Sequence, residues 1–171
     1  LVYRIAVVFA ALGCGRAATA HSAMAAEAAA RFADAVPKKC AASYFDCHGH
    51  RLTAIGRVAD GAGWMARAHR ILLQLPPSIG FIMHIVRACI VRFRCGHPSK
   101  AVRTMRRVLA NTTLAALDAE ANVPWTIAAA LAAMLWLTGG AEEAARVAEP
   151  AAAAPPRQID TDAVLLLSIR A

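Results

Sequence analysis

The sequence predicts an all-α protein in which antiparallel helical hairpins stack into a short α-solenoid. Alanine, the strongest helix former, supplies about a quarter of the 171 residues, and runs of β-branched residues are scarce. Apolar residues recur at helical spacing in one segment after another. Glycines suited to closing helical hairpins recur about every 40 residues, a period typical of stacked helical repeats.

Four glycines are placed to close successive hairpins. They are separated by 41, 40 and 44 residues (56−15, 96−56 and 140−96) and are Gly15, Gly56, Gly96 and Gly140. A small residue, which lets paired helices approach closely, stands five residues after each: Ala20, Gly61, Ala101 and Ala145. Chance is the alternative, because alanine is so frequent. We expect one helical repeat domain over residues 1–154, with 155–171 as a tail or the start of a further helix.

The hairpin around Gly96 has the most informative pattern. Its first arm, 84–95, is apolar on most sides, with Arg87 and Arg94 seven residues apart on the solvent side. Gly96 can adopt the left-handed conformation that ends a helix, and Pro98 fits the first turn of the next helix. The second arm has an apolar stripe opposite a basic side. The stripe is Val102, Met105 and Leu109, and the basic side is Lys100, Arg103, Arg106 and Arg107.

Positive charge is concentrated in the middle of the chain. The formal net charge is +8, and no acidic residue lies between Asp60 and Asp118, where nine lysines and arginines fall. Such an excess suits an acidic protein surface, a nucleic-acid backbone or anionic lipid, although a solvated face is the plainer interpretation. We expect a protein partner with an acidic surface. The candidate partner-binding residues are Arg87, Arg94, Lys100, Arg103, Arg106 and Arg107.

No motif indicates catalysis, a cofactor or a metal. Residues 117–127 faintly match a helix-turn-helix, but the helix that would follow has no side chain to reach base edges, so we expect no sequence-specific DNA binding. Cys47, His48 and His50 lack the spacing of zinc ligands. The sequence has no phosphate loop, dinucleotide fingerprint or nucleophile elbow. We therefore predict a non-enzymatic protein without a cofactor.

Cysteines and apolar segments bear on the cellular location. The five cysteines do not form a disulfide framework, which favours reduced, buried thiols and a cytoplasmic protein. Residues 1–15 instead have the pattern of a short signal peptide. Residues 122–141 are uncharged, but their apolar core of about fourteen residues is too short for a membrane span, so a buried helix is predicted.

These segments leave two alternatives open. One is an exported or membrane-associated small helical protein anchored by its N-terminal apolar segment. The other is a truncated or degenerate reading frame.

Three stretches resemble parts of known helical-repeat proteins. The turns Gly96–Ala101 and Gly140–Ala145 resemble the inter-helix turns of tetratricopeptide-type repeats. The segment Gly63–Ser78, GWMARAHRILLQLPPS, is similar to part of the large bacterial LuxR-type transcriptional regulators. In that family a tetratricopeptide-like region precedes a C-terminal DNA-binding module. The resemblance, over about 56–154, implies a fragment without that module: a sensing scaffold with no catalysis of its own and a repeat longer than the usual 34 residues.

Overall fold

The computed structural model describes residues 15–76, 78–111 and 123–153. Within these ranges it contains seven α-helices and no strand, which confirms the prediction of an all-α protein. The helices are α1 (Gly15–Arg31), α2 (Lys38–Ala54), α3 (Val58–Leu72), α4 (Ile79–Arg94), α5 (Pro98–Ala110), α6 (Val123–Leu137) and α7 (Ala141–Ala153). The chain divides within α4 into two compact units, residues 1–87 (unit 1) and 88–171 (unit 2). The apolar segment at 1–14 and the expected tail at 155–171 lie outside the described residues.

Three turns between helices share one backbone geometry. The φ angle is +87° at Gly56, +82° at Gly96 and +84° at Gly139, in the left-handed region that glycine adopts without steric cost. In each turn the glycine N–H donates to the carbonyl three residues earlier, and the next N–H donates to the carbonyl five residues earlier. This is the Schellman arrangement, which satisfies the last carbonyl groups of a helix.

The last predicted turn needs two corrections, one to its glycine and one to the small residue that follows it. Gly139, and not Gly140, is left-handed, because the N–H of Gly140 makes the second bond of the turn, so the turns are 40 and 43 residues apart (96−56 and 139−96). The small residue five positions later is therefore Ala144, which is 2% exposed, whereas Ala145 is exposed. Gly15 is the first helical residue of α1, and the arm that it is predicted to close lies outside the described residues.

Unit 1 is built around the contact between α2 and α3. A Cβ placed on Gly61 would lie 2.5 Å from the carbonyl oxygen of Gly49 and 2.5 Å from Thr53 Cγ2, so the two helices meet backbone to backbone. Helix α1 also packs against α2. The buried hydrophobic cluster consists of Ala26, Ala29, Ala41, Phe45 and Ala68. Small side chains thus give unit 1 close helix packing.

Unit 2 is organised around α6, which packs against α5 and α7. Its side chains Ile127, Leu131 and Leu135 are at most 4% exposed, as expected for the apolar run. In the described ranges, no helix is long and apolar enough to cross a membrane. Helix α5 buries Ala101, Val102, Met105 and Val108. Val108, three residues after Met105, is buried in place of Leu109. Leu109 was predicted to belong to the apolar stripe but is only half-buried.

Candidate functional site

Asp46 is the centre of a buried polar cluster in unit 1. It lies on α2 and is 2% exposed. Asp46 Oδ1 accepts a hydrogen bond from His84 Nδ1 at 2.7 Å, and Oδ2 accepts one from Arg87 Nη1 at 2.5 Å. Both donors lie on α4, three residues apart, so one face of that helix satisfies both carboxylate oxygens. A buried carboxylate without such partners would be strongly destabilising.

His69 extends this cluster to the surface. Its Nδ1 lies 3.2 Å from His84 Nε2. Because the Asp46 carboxylate only accepts, His84 carries a proton on Nδ1. Its Nε2 shares the second hydrogen bond with Nδ1 of His69, and the tautomers of the two rings set which of them donates. His84 is buried, whereas His69 is exposed and stacks on Phe81. We call Asp46, His69, His84 and Arg87 the Asp46 cluster; it is a hydrogen-bonded chain from solvent to a buried carboxylate.

A cavity of about 740 Å³ opens between α1, α2 and α3. His48 in its wall is buried, and its Nδ1 lies 3.0 Å from Ser22 Oγ. Ser22 Oγ donates to the carbonyl oxygen of Thr19 at 2.8 Å, so it accepts from the Nδ1–H of His48. Burial lowers the pKa of His48, against a smaller raising effect of Glu27.

An aromatic side chain and several charges complete this cavity wall. The Arg67 guanidinium lies 4.8 Å from the Trp64 ring centroid, a cation–π contact. Arg57 and Asp60 form an exposed ion pair at 2.7 Å. The wall therefore carries charges of both signs.

Two of the six predicted partner-binding residues are paired with carboxylates. Arg87 is 27% exposed and bonds to Asp46. Arg106 donates from Nε and Nη2 to the two oxygens of Glu143, at 2.9 and 2.7 Å. Glu143 lies 37 residues further along the chain, so the fold supplies the carboxylate that the acid-free middle of the sequence lacks. These two arginines therefore pair with carboxylates on other helices of the same chain.

The other four predicted residues are exposed: Arg94, Lys100, Arg103 and Arg107. Lys100, Arg103 and Arg107 follow the spacing i, i+3, i+7 and so lie along one side of α5. The opposite side of α5 is buried, which fixes this row toward solvent. We call these three residues the basic stripe.

The described cysteines divide equally between interior and surface. Cys47 and Cys89 are buried, as expected, but Cys40 and Cys95 are exposed, so the expectation of buried thiols is wrong for those two. Cys40 lies in the first turn of α2 and Cys95 just after α4, where helix ends face solvent. Burial raises the pKa of the Cys89 thiol.

The Asp46 cluster was not predicted from the sequence. The available signal was a carboxylate on a helix face whose neighbours at helical spacing, Ala42 and Gly49, are small and buried. Such a position requires a buried partner. The partners stand 38 and 41 residues later, beyond the reach of any local pattern.

The described residues include no group of three or more His, Cys, Asp or Glu side chains placed to hold a metal ion. Comparison with protein families, with curated proteins and with solved structures found no match for this chain.

Proposed function

We propose that this chain is a non-enzymatic, cytoplasmic helical-repeat scaffold that binds an acidic segment of another protein. The first support is the regularity of its turns. A small buried residue stands seven positions before each left-handed glycine and another five positions after it, 12 residues apart each time (61−49, 101−89 and 144−132). The pairs are Gly49 with Gly61, Cys89 with Ala101, and Ala132 with Ala144.

The same register supports a tetratricopeptide-like repeat. The tetratricopeptide pattern W-x₂-L-G-x₂-Y, followed by A-x₃-F, places its small residues where paired helices meet. In this chain the positions of the first part are occupied by Phe45, His48, Gly49 and Leu52, and those of the second by Gly61 and Met65; only Gly49 is the residue that the pattern names. The pairs in the later turns keep the small residues but lack the aromatic ones. Repeats of this kind stack into extended surfaces that bind proteins, and we propose the same stacking here.

The basic stripe is the observation that carries the choice of partner. Lys100, Arg103 and Arg107 project from a helix whose other side is buried, so three positive charges share one exposed row. Nearby Arg106 is already paired with Glu143, so the basic stripe is the part of this face that can bind an external anion. The stripe contains no aromatic side chain on which a nucleic-acid base would stack, which favours a carboxylate-rich protein segment.

Charge reversal tests this proposal. The probe is a fluorescent peptide of about twelve residues, rich in glutamate, followed by anisotropy, beside an oligothymidine of equal charge. Arg103→Glu with Arg107→Glu should weaken peptide binding at least about tenfold. The matched control, Lys38→Glu with Lys39→Glu, changes two exposed cations at the start of α2 by the same charge and should leave the affinity within about twofold.

Salt and the second probe decide between the outcomes. Peptide affinity of the unmodified chain should fall as salt rises from about 50 to 200 mM, because exposed charges are screened. Equal weakening by the two reversals would mean that only the net charge matters. Absence of peptide binding, or tighter binding of the oligothymidine, would overturn the choice of an acidic protein segment.

A further inference from the structure

The cavity of unit 1 has the size and the lining of a small-molecule site. Its volume of about 740 Å³ lies within the range of about 300–1,000 Å³ that is typical of ligand pockets. Helices α1, α2 and α3 give it an apolar surface, which consists of Ala20, Ala23, Leu52, Ile55 and Trp64. Ile55 is 55% exposed, so a large aliphatic side chain stands uncovered at this site. A ligand with an apolar body would remove this surface from water.

His48 provides a polar group inside this cavity. The residue is 5% exposed and stands in the cavity wall. Its Nδ1 is hydrogen-bonded to Ser22, whereas Nε2 has no partner in the described part of the chain and is not closed off from solvent, so it faces the cavity. In the tautomer that donates from Nδ1 to Ser22, Nε2 has a lone pair and accepts a hydrogen bond. Because burial lowers the pKa of His48, the ring is neutral at pH 7.5 and keeps this lone pair.

The charges that line the cavity favour an anionic ligand. Arg57 and Asp60 form an ion pair and so neutralise each other. The remaining lining charges are the positive Arg16 and Arg67 and the negative Glu27, which leaves an excess of one positive charge. The guanidinium of Arg67 also lies over the indole ring of the wall, so that ring is already occupied by a cation and a second cation would be repelled.

Arg16 is the cation best placed to bind an acidic group. It is exposed and forms no ion pair with a described residue. Glu27 lies eleven residues further along α1, or about 16 Å along the helix axis, so the two charges belong to opposite ends of the cavity. Ser22, the partner of His48, lies six residues after Arg16, or about 9 Å along the axis. A ligand about this long can reach both Arg16 and His48.

We propose that the cavity of unit 1 binds a small aromatic carboxylate that carries a hydrogen-bond donor. The carboxylate of the ligand pairs with Arg16, its ring packs against Ile55 and Trp64, and its donor bonds to Nε2 of His48. This site is separate from the basic stripe, which lies in unit 2 and for which a protein segment is proposed. The chain would thus take a small ligand in one unit and a protein partner in the other.

Indole-3-butyrate is a suitable probe, because it joins an aromatic ring with an N–H donor to a carboxylate through a flexible chain. Titration of the full chain at pH 7.5, followed by NMR shifts, should show one site with a dissociation constant of about 0.1–1 mM, as expected for a ligand with so few atoms. The primary amide of the probe lacks the charge, and its 1-methyl derivative lacks the donor. Each should bind at least about threefold more weakly.

Two substitutions on α1 locate the site, each with a control on the same helix. Ala20→Trp fills the cavity from an exposed position and should abolish binding, whereas Ala30→Trp places the same ring outside the cavity and should leave the affinity within about twofold. Arg16→Gln should weaken binding of the acid at least about threefold and leave that of the amide unchanged. Arg31→Gln removes the same charge at the other end of α1 and should change neither affinity.

Histidine nitrogen NMR reports on the polar contact without altering buried His48. The probe should shift the Nε2 resonance of His48, and its 1-methyl derivative should shift that resonance less. Binding that survives Ala20→Trp, or that leaves Nε2 of His48 unmoved, would place the probe elsewhere and overturn the proposal. Equal affinity for the acid and the amide, or an absence of saturable binding, would also overturn it.

Discussion

Replacing Gly61 by alanine tests the contact on which unit 1 is built. The new Cβ would lie 2.5 Å from the Gly49 carbonyl oxygen and 2.5 Å from Thr53 Cγ2, where ordinary contact begins at 3.4 Å. The helices must therefore separate by as much as 0.9 Å (3.4−2.5). One obstructing atom is backbone and the other belongs to a buried β-branched side chain, so neither retreats easily.

Two opposing effects set the size of the change. Overpacking of a close helix contact costs about 1–3 kcal/mol, and the backbone clash places this substitution in the upper part of that range. Alanine returns about 0.8–1 kcal/mol through its better helix propensity. We expect Gly61→Ala to lower the free energy of unfolding by about 1–2 kcal/mol, or about 2–8 °C in midpoint for a chain of this length.

Gly63 in the same helix is the matched control. It is exposed, and a Cβ there meets nothing within 4 Å, so Gly63→Ala should stabilise by about 0.5–1 kcal/mol. Urea unfolding should be followed by fluorescence in a background that retains only Trp64, which reports on unit 1; the slope with urea should not change. A stabilising or neutral effect of Gly61→Ala would refute the close approach of α2 and α3.

Two further predictions concern titration and reactivity. Burial lowers the pKa of His48 in the folded chain, so just below pH about 6.5 the unfolded chain binds more protons than the folded chain. The free energy of unfolding should therefore decrease as the pH falls below that value, by at most about 1.4 kcal/mol per pH unit. Urea unfolding from pH 8 to 5 should show a shallower loss in His48→Asn, and parallel curves would contradict this assignment. Exposed Cys40 and Cys95 should react with a maleimide in the folded chain at least about tenfold faster than Cys89, because Cys89 is buried and burial raises its pKa. Peptide mapping of the labelled chain measures the three rates. Equal labelling of the three cysteines would place Cys89 at the surface.

The sequence by itself determined the local features of this protein. The all-α class, the left-handed turns at Gly56 and Gly96 and the two-sided character of α5 each depend on residues within about one or two helical turns of each other. Propensity, a glycine at a helix end and apolar spacing therefore predict them. The boundary of the third turn was missed by one residue because Gly139 and Gly140 are adjacent, and composition cannot tell which of two neighbouring glycines ends the helix.

Only the tertiary structure decided which charges are paired. Arg87 and Arg106 looked equivalent to their neighbours, because no carboxylate lies near them in the sequence. Asp46 stands 41 residues before Arg87, and Glu143 stands 37 residues after Arg106. Helical periodicity relates residues three or four apart and is silent at such separations. The Asp46 cluster, and with it the geometry of His69 and His84, therefore exists only once α2, α3 and α4 have packed.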